Sequence, residues 1–186
     1  MQPQTHLTTP TEPRYSTAMV LIHWLMLALM VAVFASINLR ELYPKGTDMR
    51  NLMKTIHFML GLLVLVMVAL RVAAKLSGPQ PAAASDVAWA QWAAKIGHLA
   101  LYGFMVGMPL LGWATLSAAG KPVPFFGLEL PALLATNKEL AHSLEDLHKA
   151  IGELGYWLIG LHAAAALMHH FVFKDGLMNR MRLSRA

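Results

Sequence analysis

Nine histidines stand in a chain of 186 residues that has no cysteine. Two of them, His148 and His162, are 14 residues apart at the entry to and within one apolar stretch. On an α-helix that spacing is a rise of about 21 Å over roughly four turns, so both rings leave nearly the same face at two depths. From Ala150 to Phe173 the stretch carries one acidic residue, Glu153, and no Lys or Arg, and it is long enough to cross a bilayer. An imidazole inside a membrane is costly and usually functional. Two helices that each present a histidine at one depth can grip a haem iron from both sides, and two such levels on one helix would suit two haems. The lack of cysteine removes the other routes: disulfides, iron–sulfur clusters, thiolate-ligated haem and C-x-x-C-H attachment.

Positioning those rings requires membrane helices, and the composition supplies them. The chain is 56% hydrophobic and 13% charged, against a usual charged fraction of about 25%. A net charge of +5 does not indicate nucleic acid, because the Lys and Arg residues lie in short segments flanking apolar runs. Four runs are long enough to span: Ala18 to Leu39, Leu52 to Ala74, Ala93 to Ala119 and the stretch ending at Phe173. The first is too long for a signal-peptide core and is read as a retained span. Pro109 is expected to kink the third run, whose Gly103, Gly107 and Gly112 permit close approach of a neighbour or a flat cofactor. Residues 75 to 92 form the connection between the second and third runs. It is broken by Gly78, Pro79, Pro81 and Asp86, with Trp89 and Trp92 suited to an interfacial belt. A long loop, about Gly120 to Leu147, should fold onto the membrane surface, with a short surface helix over Asn137 to Asp146. Residues 1–13 read as a disordered tail, 14–181 as one transmembrane domain, and 182–186 as a basic cytoplasmic tail. The fold class is thus all-α, a membrane four-helix bundle enclosing two haems.

Alternating helix direction sorts the histidines by depth. His23 and His98 start the first and third runs, near the side that holds the termini, while His57 starts the second on the far side. His148 enters the fourth run on the far side and His162 lies deeper along it. His57 therefore pairs with His148. His23 pairs with His162, although depth alone leaves His98 as an alternative to His23. His169 follows His162 by seven residues, about 10 Å on nearly the same face, too close for a third haem. His169 and His170 read as surface-level residues near a quinone or a haem propionate, and Arg71 and Lys54 are further propionate candidates. A single membrane histidine commonly serves only as an interhelical hydrogen bonder, but four at matched depths favour haem. A histidine-based metal transporter would add carboxylates at mid-depth, and Glu153 is the one residue so placed. Basic residues barely orient the chain: eight flank the terminal side and seven the far side. The C-terminal cluster of Lys174, Arg180, Arg182 and Arg185 favours both termini in the cytoplasm.

The segments RYSTAMVLIHWLM, TIHFMLGLLVLVMVALR, GHLALYGFMVGMPLLGW and LHKAIGELGYWLIGLHAAAALMHHFVFKD resemble those of the bacterial cytochrome b561 family, over about Arg14 to Met181. The resemblance implies a small di-haem b cytochrome of the inner membrane. It implies haem ligation by His23 with His162 on the cytoplasmic side and by His57 with His148 on the periplasmic side. His98 has no ligand role in the family pattern and is associated with the quinone or proton side. The resemblance also implies electron transfer between a periplasmic donor, superoxide for some members, and ubiquinone. The activity expected is thus that of an electron-transferring oxidoreductase of the superoxide:ubiquinone type. Loop lysines such as Lys45, Lys54 and Lys138 read as ordinary interfacial residues before they read as a donor-attracting patch. Two rival readings stand beside this one: a haem-bearing anchor subunit relaying electrons for a larger dehydrogenase or hydrogenase, and a haem-free membrane protein.

Overall fold

The computed structural model describes residues 14–78 and 87–183. The tail expected at 1–13, the breakers Pro79, Pro81 and Asp86, and the last residues of the basic tail, 184–186, lie outside the described residues. Four long helices carry the fold: α1 Thr17–Leu39, α2 Asp48–Ser77, α3 Ala88–Ala118 and α4 Lys138–Met168. Each belongs to a segment long and apolar enough to cross a membrane, and the fold is a four-helix membrane bundle. The outward faces agree with lipid as solvent: Leu76, Trp157 and Leu161 are 82%, 80% and 73% exposed.

Capping chemistry fixes where the helices start. The Ser16 hydroxyl accepts from the Met19 amide at 3.2 Å to open α1. The Thr47 hydroxyl accepts from the Arg50 amide at 3.4 Å to open α2. That cap starts α2 at Asp48 rather than at the apolar boundary near Leu52. Between these helices, a short 3₁₀ turn over Arg40–Leu42 is held by the buried Arg50 side chain. Its guanidinium donates to the carbonyls of Arg40 at 3.1 Å and Tyr43 at 2.8 Å and pairs with Glu41 at 3.0 Å. The charge is thereby fully engaged at the turn, which is why it is buried without a mid-membrane role.

Two expectations change. The loop after α3 is much shorter than Gly120 to Leu147, because α4 is continuous from Lys138 and Asn137–Asp146 is no separate surface helix. The Asn137 side chain caps it by accepting from the Leu140 amide at 3.0 Å. Lys149 pairs with Glu145 one turn back at 2.8 Å, and neither proline nor glycine interrupts the polar first turns. Length and hydropathy place a membrane boundary, whereas caps place a helix start. Likewise Trp89 and Trp92 lie in the first turns of α3, not in the connection before it. The FFGLEL segment adds one small departure from helix: β1 Val123–Phe125 pairs antiparallel with β2 Leu128–Leu130. The two-residue turn is Phe126–Gly127, both at positive φ (46° and 88°), as the twist of a tight hairpin demands.

Helix α1 packs on α2, α2 on α3, and α3 on α4. No comparable backbone packing joins α4 to α1 or α2. The buried clusters follow the same division. Met26, Val64 and Val68 are covered by Tyr102, Met105 and Val106. Leu62, Leu116 and Val123 are covered by Phe58, Trp113 and Phe125. Neither cluster draws on α4, which meets α1 instead through Tyr156: its hydroxyl accepts from the Asn38 amide at 2.6 Å and its ring lies 4.4 Å from that of Phe34.

Candidate functional site

Toward the far side, His57 of α2 faces His148 of α4 with ring centres 6.2 Å apart and planes at 81°. The Nδ1–H of His57 donates to the Val33 carbonyl of α1 at 3.1 Å, because a carbonyl only accepts. That bond fixes the tautomer and leaves Nε2 without a proton for ligation. The Nδ1 of His148 is buried without a partner. The ring lies against α3 where the chain has glycine: a Cβ on Gly112 would stand 3.2 Å from its Cε1.

Toward the side of the termini, His23 of α1 faces His162 of α4 at 6.4 Å with planes at 75°. His98 of α3 stands 5.6 Å from the same ring. The alternative that depth left open is therefore a true neighbour. His98 is exposed, and its Nδ1–H donates to the Ala94 carbonyl of its own helix at 2.7 Å.

Metal–imidazole bonds of about 2.0 Å and a ring radius of about 1.1 Å put the centres of two opposed rings sharing one ion roughly 6.2 Å apart. The His57–His148 and His23–His162 separations match that distance, and His98–His162 falls short of it. Among the described residues no group of three or more His, Asp or Glu side chains is arranged to hold a metal ion. A bare ion wants about four protein ligands. Two imidazoles suffice when the ion brings its four in-plane nitrogens with it, so the donor set fits haem and not free metal.

The remaining candidates divide. Arg71 donates from Nε to the Tyr102 hydroxyl at 3.2 Å, and its buried Nη1 has no partner. His169 opens a single π-helical turn, His169–Phe173, and bonds through Nδ1 to Asp175 rather than facing open space. Its neighbour His170 lines a cleft of about 590 Å³ with Trp24, Met178, Asn179, Met181, Arg182 and Leu183. The far wall is a 3₁₀ helix, Leu177–Met181, which returns toward α1 and accepts the Trp24 indole N–H at the Met181 carbonyl, 2.9 Å away. This cleft was not legible in the sequence. Only the adjacency of His23 and Trp24 hints at it, since Trp24 reaches the same level as the terminal-side pair.

Four membrane helices that set imidazoles in opposed pairs define a b-type membrane cytochrome. A model of the prokaryotic cytochrome b561 family matches residues 14–183, and the chain belongs to that family. It is 35% identical over 169 residues to a protein of Yersinia pestis named probable superoxide oxidase CybB, covering 90% of this chain and 95% of that one. Cytochrome b561 homolog 1 of Escherichia coli K12 is 32% identical over 169 residues, 90% and 96% of the two chains. Cytochrome b561 homolog 2 of the same organism is 28% identical over 175 residues, 93% of each. Haem b binding and membrane electron transfer follow from the family.

Proposed function

We propose that residues 14–181 form one di-haem domain that passes electrons from a periplasmic donor to ubiquinone, with both termini in the cytoplasm. The observation that carries this reading is the pair of ring separations, 6.2 Å at His57–His148 and 6.4 Å at His23–His162, on a helix that spaces the two levels by 14 residues. His57 with His148 and His23 with His162 would hold the two haems, which when bound would supply one-electron carriage across the bilayer. The name of the Yersinia pestis relative supports superoxide as the donor. Two superoxide ions would each give up one electron and leave as dioxygen, and one ubiquinone would take both electrons with two protons to become the quinol.

The chain's own groups divide the work. Val33 holds His57 in one tautomer, so the ligating nitrogen stays presented. The cleft between Trp24, His170 and the C-terminal return offers a quinone ring an aromatic wall and a titratable group in one place. The imidazole of His170 would hand a proton to the reduced quinone oxygen and recover it from the cytoplasmic water. Arg71, anchored on Tyr102, keeps a buried N–H for a carboxylate at the terminal-side level, the chemistry of a haem propionate.

Haem quantification on the purified chain, followed by superoxide-driven ubiquinone reduction on the same sample, tests the proposal. Two haems per chain and quinol formation are expected. A colourless chain, or one porphyrin at full loading, would end it.

A further inference from the structure

The geometry points to Gly112 as the residue that sets the ring plane of His148, and so makes the two ligands of the far-side pair chemically unequal. This rests on the di-haem reading above. His57 is held by a hydrogen bond: its Nδ1–H has the Val33 carbonyl at 3.1 Å. A ring tied in this way has a fixed torsion, and its nitrogen donates more strongly to a metal. His148 has no such tie, since its Nδ1 is buried and unpartnered. What stands beside it is the backbone of α3. A Cβ at position 112 would come 3.2 Å from Cε1 and 3.6 Å from Nδ1 of His148.

Glycine is a poor helix former, so its presence in the interior of α3 asks for a local reason. Three other glycines of that helix, Gly97, Gly103 and Gly107, would meet nothing within 4 Å. Of the four glycines of α3, Gly112 alone abuts another helix's side chain, and that side chain is a candidate ligand. The ring of His148 thus stands at 81° to that of His57 with its Nδ1 unbonded, in space that a methyl on α3 would press upon. The mutual angle of two axial imidazole planes governs the anisotropy of a low-spin ferric centre, and the partner of each Nδ1 governs its electron donation. Gly112 is a positioning residue acting on both properties of one haem.

Two variants of the full-length, haem-loaded protein test this, read by electron paramagnetic resonance and by redox titration. His148→Ala first assigns the far-side signal by its loss. Gly112→Ala should then change the anisotropy of that signal, or remove that haem alone, while the other signal stays as in the parent. Gly112→Ser should lower the midpoint potential of the same haem, because its hydroxyl can accept from Nδ1–H. Parent-like signals and midpoints in both variants, or equal change at both haems, would overturn the inference. Fewer than two haems in the parent, or two retained in His148→Ala, would instead sink the di-haem reading itself.

Discussion

Each of the four paired histidines has a partner on another helix, and that makes substitution effects specific to a level. Replacing His57 or His148 with alanine should remove the same haem, because either change leaves one imidazole where two are needed. Replacing His23 or His162 should remove the other. Haem per chain and the difference spectrum of each variant check the assignment: each of the four should hold about half the parent haem, and the two members of a pair should share one residual spectrum. Loss of haem in His98→Ala with retention in His23→Ala would reverse the terminal-side assignment. The 5.6 Å separation of His98 and His162 makes that comparison decisive rather than formal.

Helix α4 is where hydropathy and local chemistry part company. Its Leu154, Trp157 and Leu161 face outward, as expected from a lipid-facing stripe. Its fit to α3, by contrast, depends on Gly155: a Cβ there would stand 2.3 Å from Cζ of Phe104. Gly155→Ala should therefore push Phe104 aside and cost about 1–3 kcal/mol, the usual range for overpacking. The midpoint of thermal loss of haem absorbance should fall accordingly, and Phe104→Leu in the same chain should restore part of it. Asn137→Ala, which removes the cap on the Leu140 amide, should cost about 1 kcal/mol with little effect on haem spectra. The four spans and the depth of each histidine were legible in the sequence, because apolar length and alternating direction dictate them. The full extent of α4 was not, since its first turns are polar and a cap residue looks like any loop asparagine. A close approach at Gly112 was legible, but not that His148 makes it, nor the contact at Gly155, because these depend on which side chain of another helix lies opposite. Nor was the hairpin at Phe126–Gly127, where a phenylalanine takes a positive φ that sequence patterns assign to asparagine or glycine.

Helix α4 packs on α3 and meets α1 through Tyr156, whose hydroxyl accepts from Asn38 at 2.6 Å and whose ring lies 4.4 Å from that of Phe34, and the two ends of this bundle differ. The far end is closed by the α1–α2 turn, where Arg50 binds Glu41 and two carbonyls. The terminal end is closed by the chain's own C-terminal return. After the π-helical turn, Asp175 accepts from the Leu177 amide at 3.1 Å and bonds His169, which turns the chain back toward α1. The Trp24 indole N–H ties the return to α1 at the Met181 carbonyl. That bond gives the quinone reading a sharp test. Trp24→Phe keeps an aromatic ring and removes only the N–H, a loss worth about 1 kcal/mol for a hydrogen bond of this kind. The haem level depends on His23 and His162, not on that N–H, so haem content and reduction by the donor should stay as in the parent. Ubiquinone, however, meets a loosened wall, and its KM should rise by roughly fivefold, the equivalent of that energy. Steady-state quinone reduction on the haem-quantified variant measures this. An unchanged KM would take the quinone out of this cleft, whereas a loss of haem would make Trp24 a support of the His23 level instead.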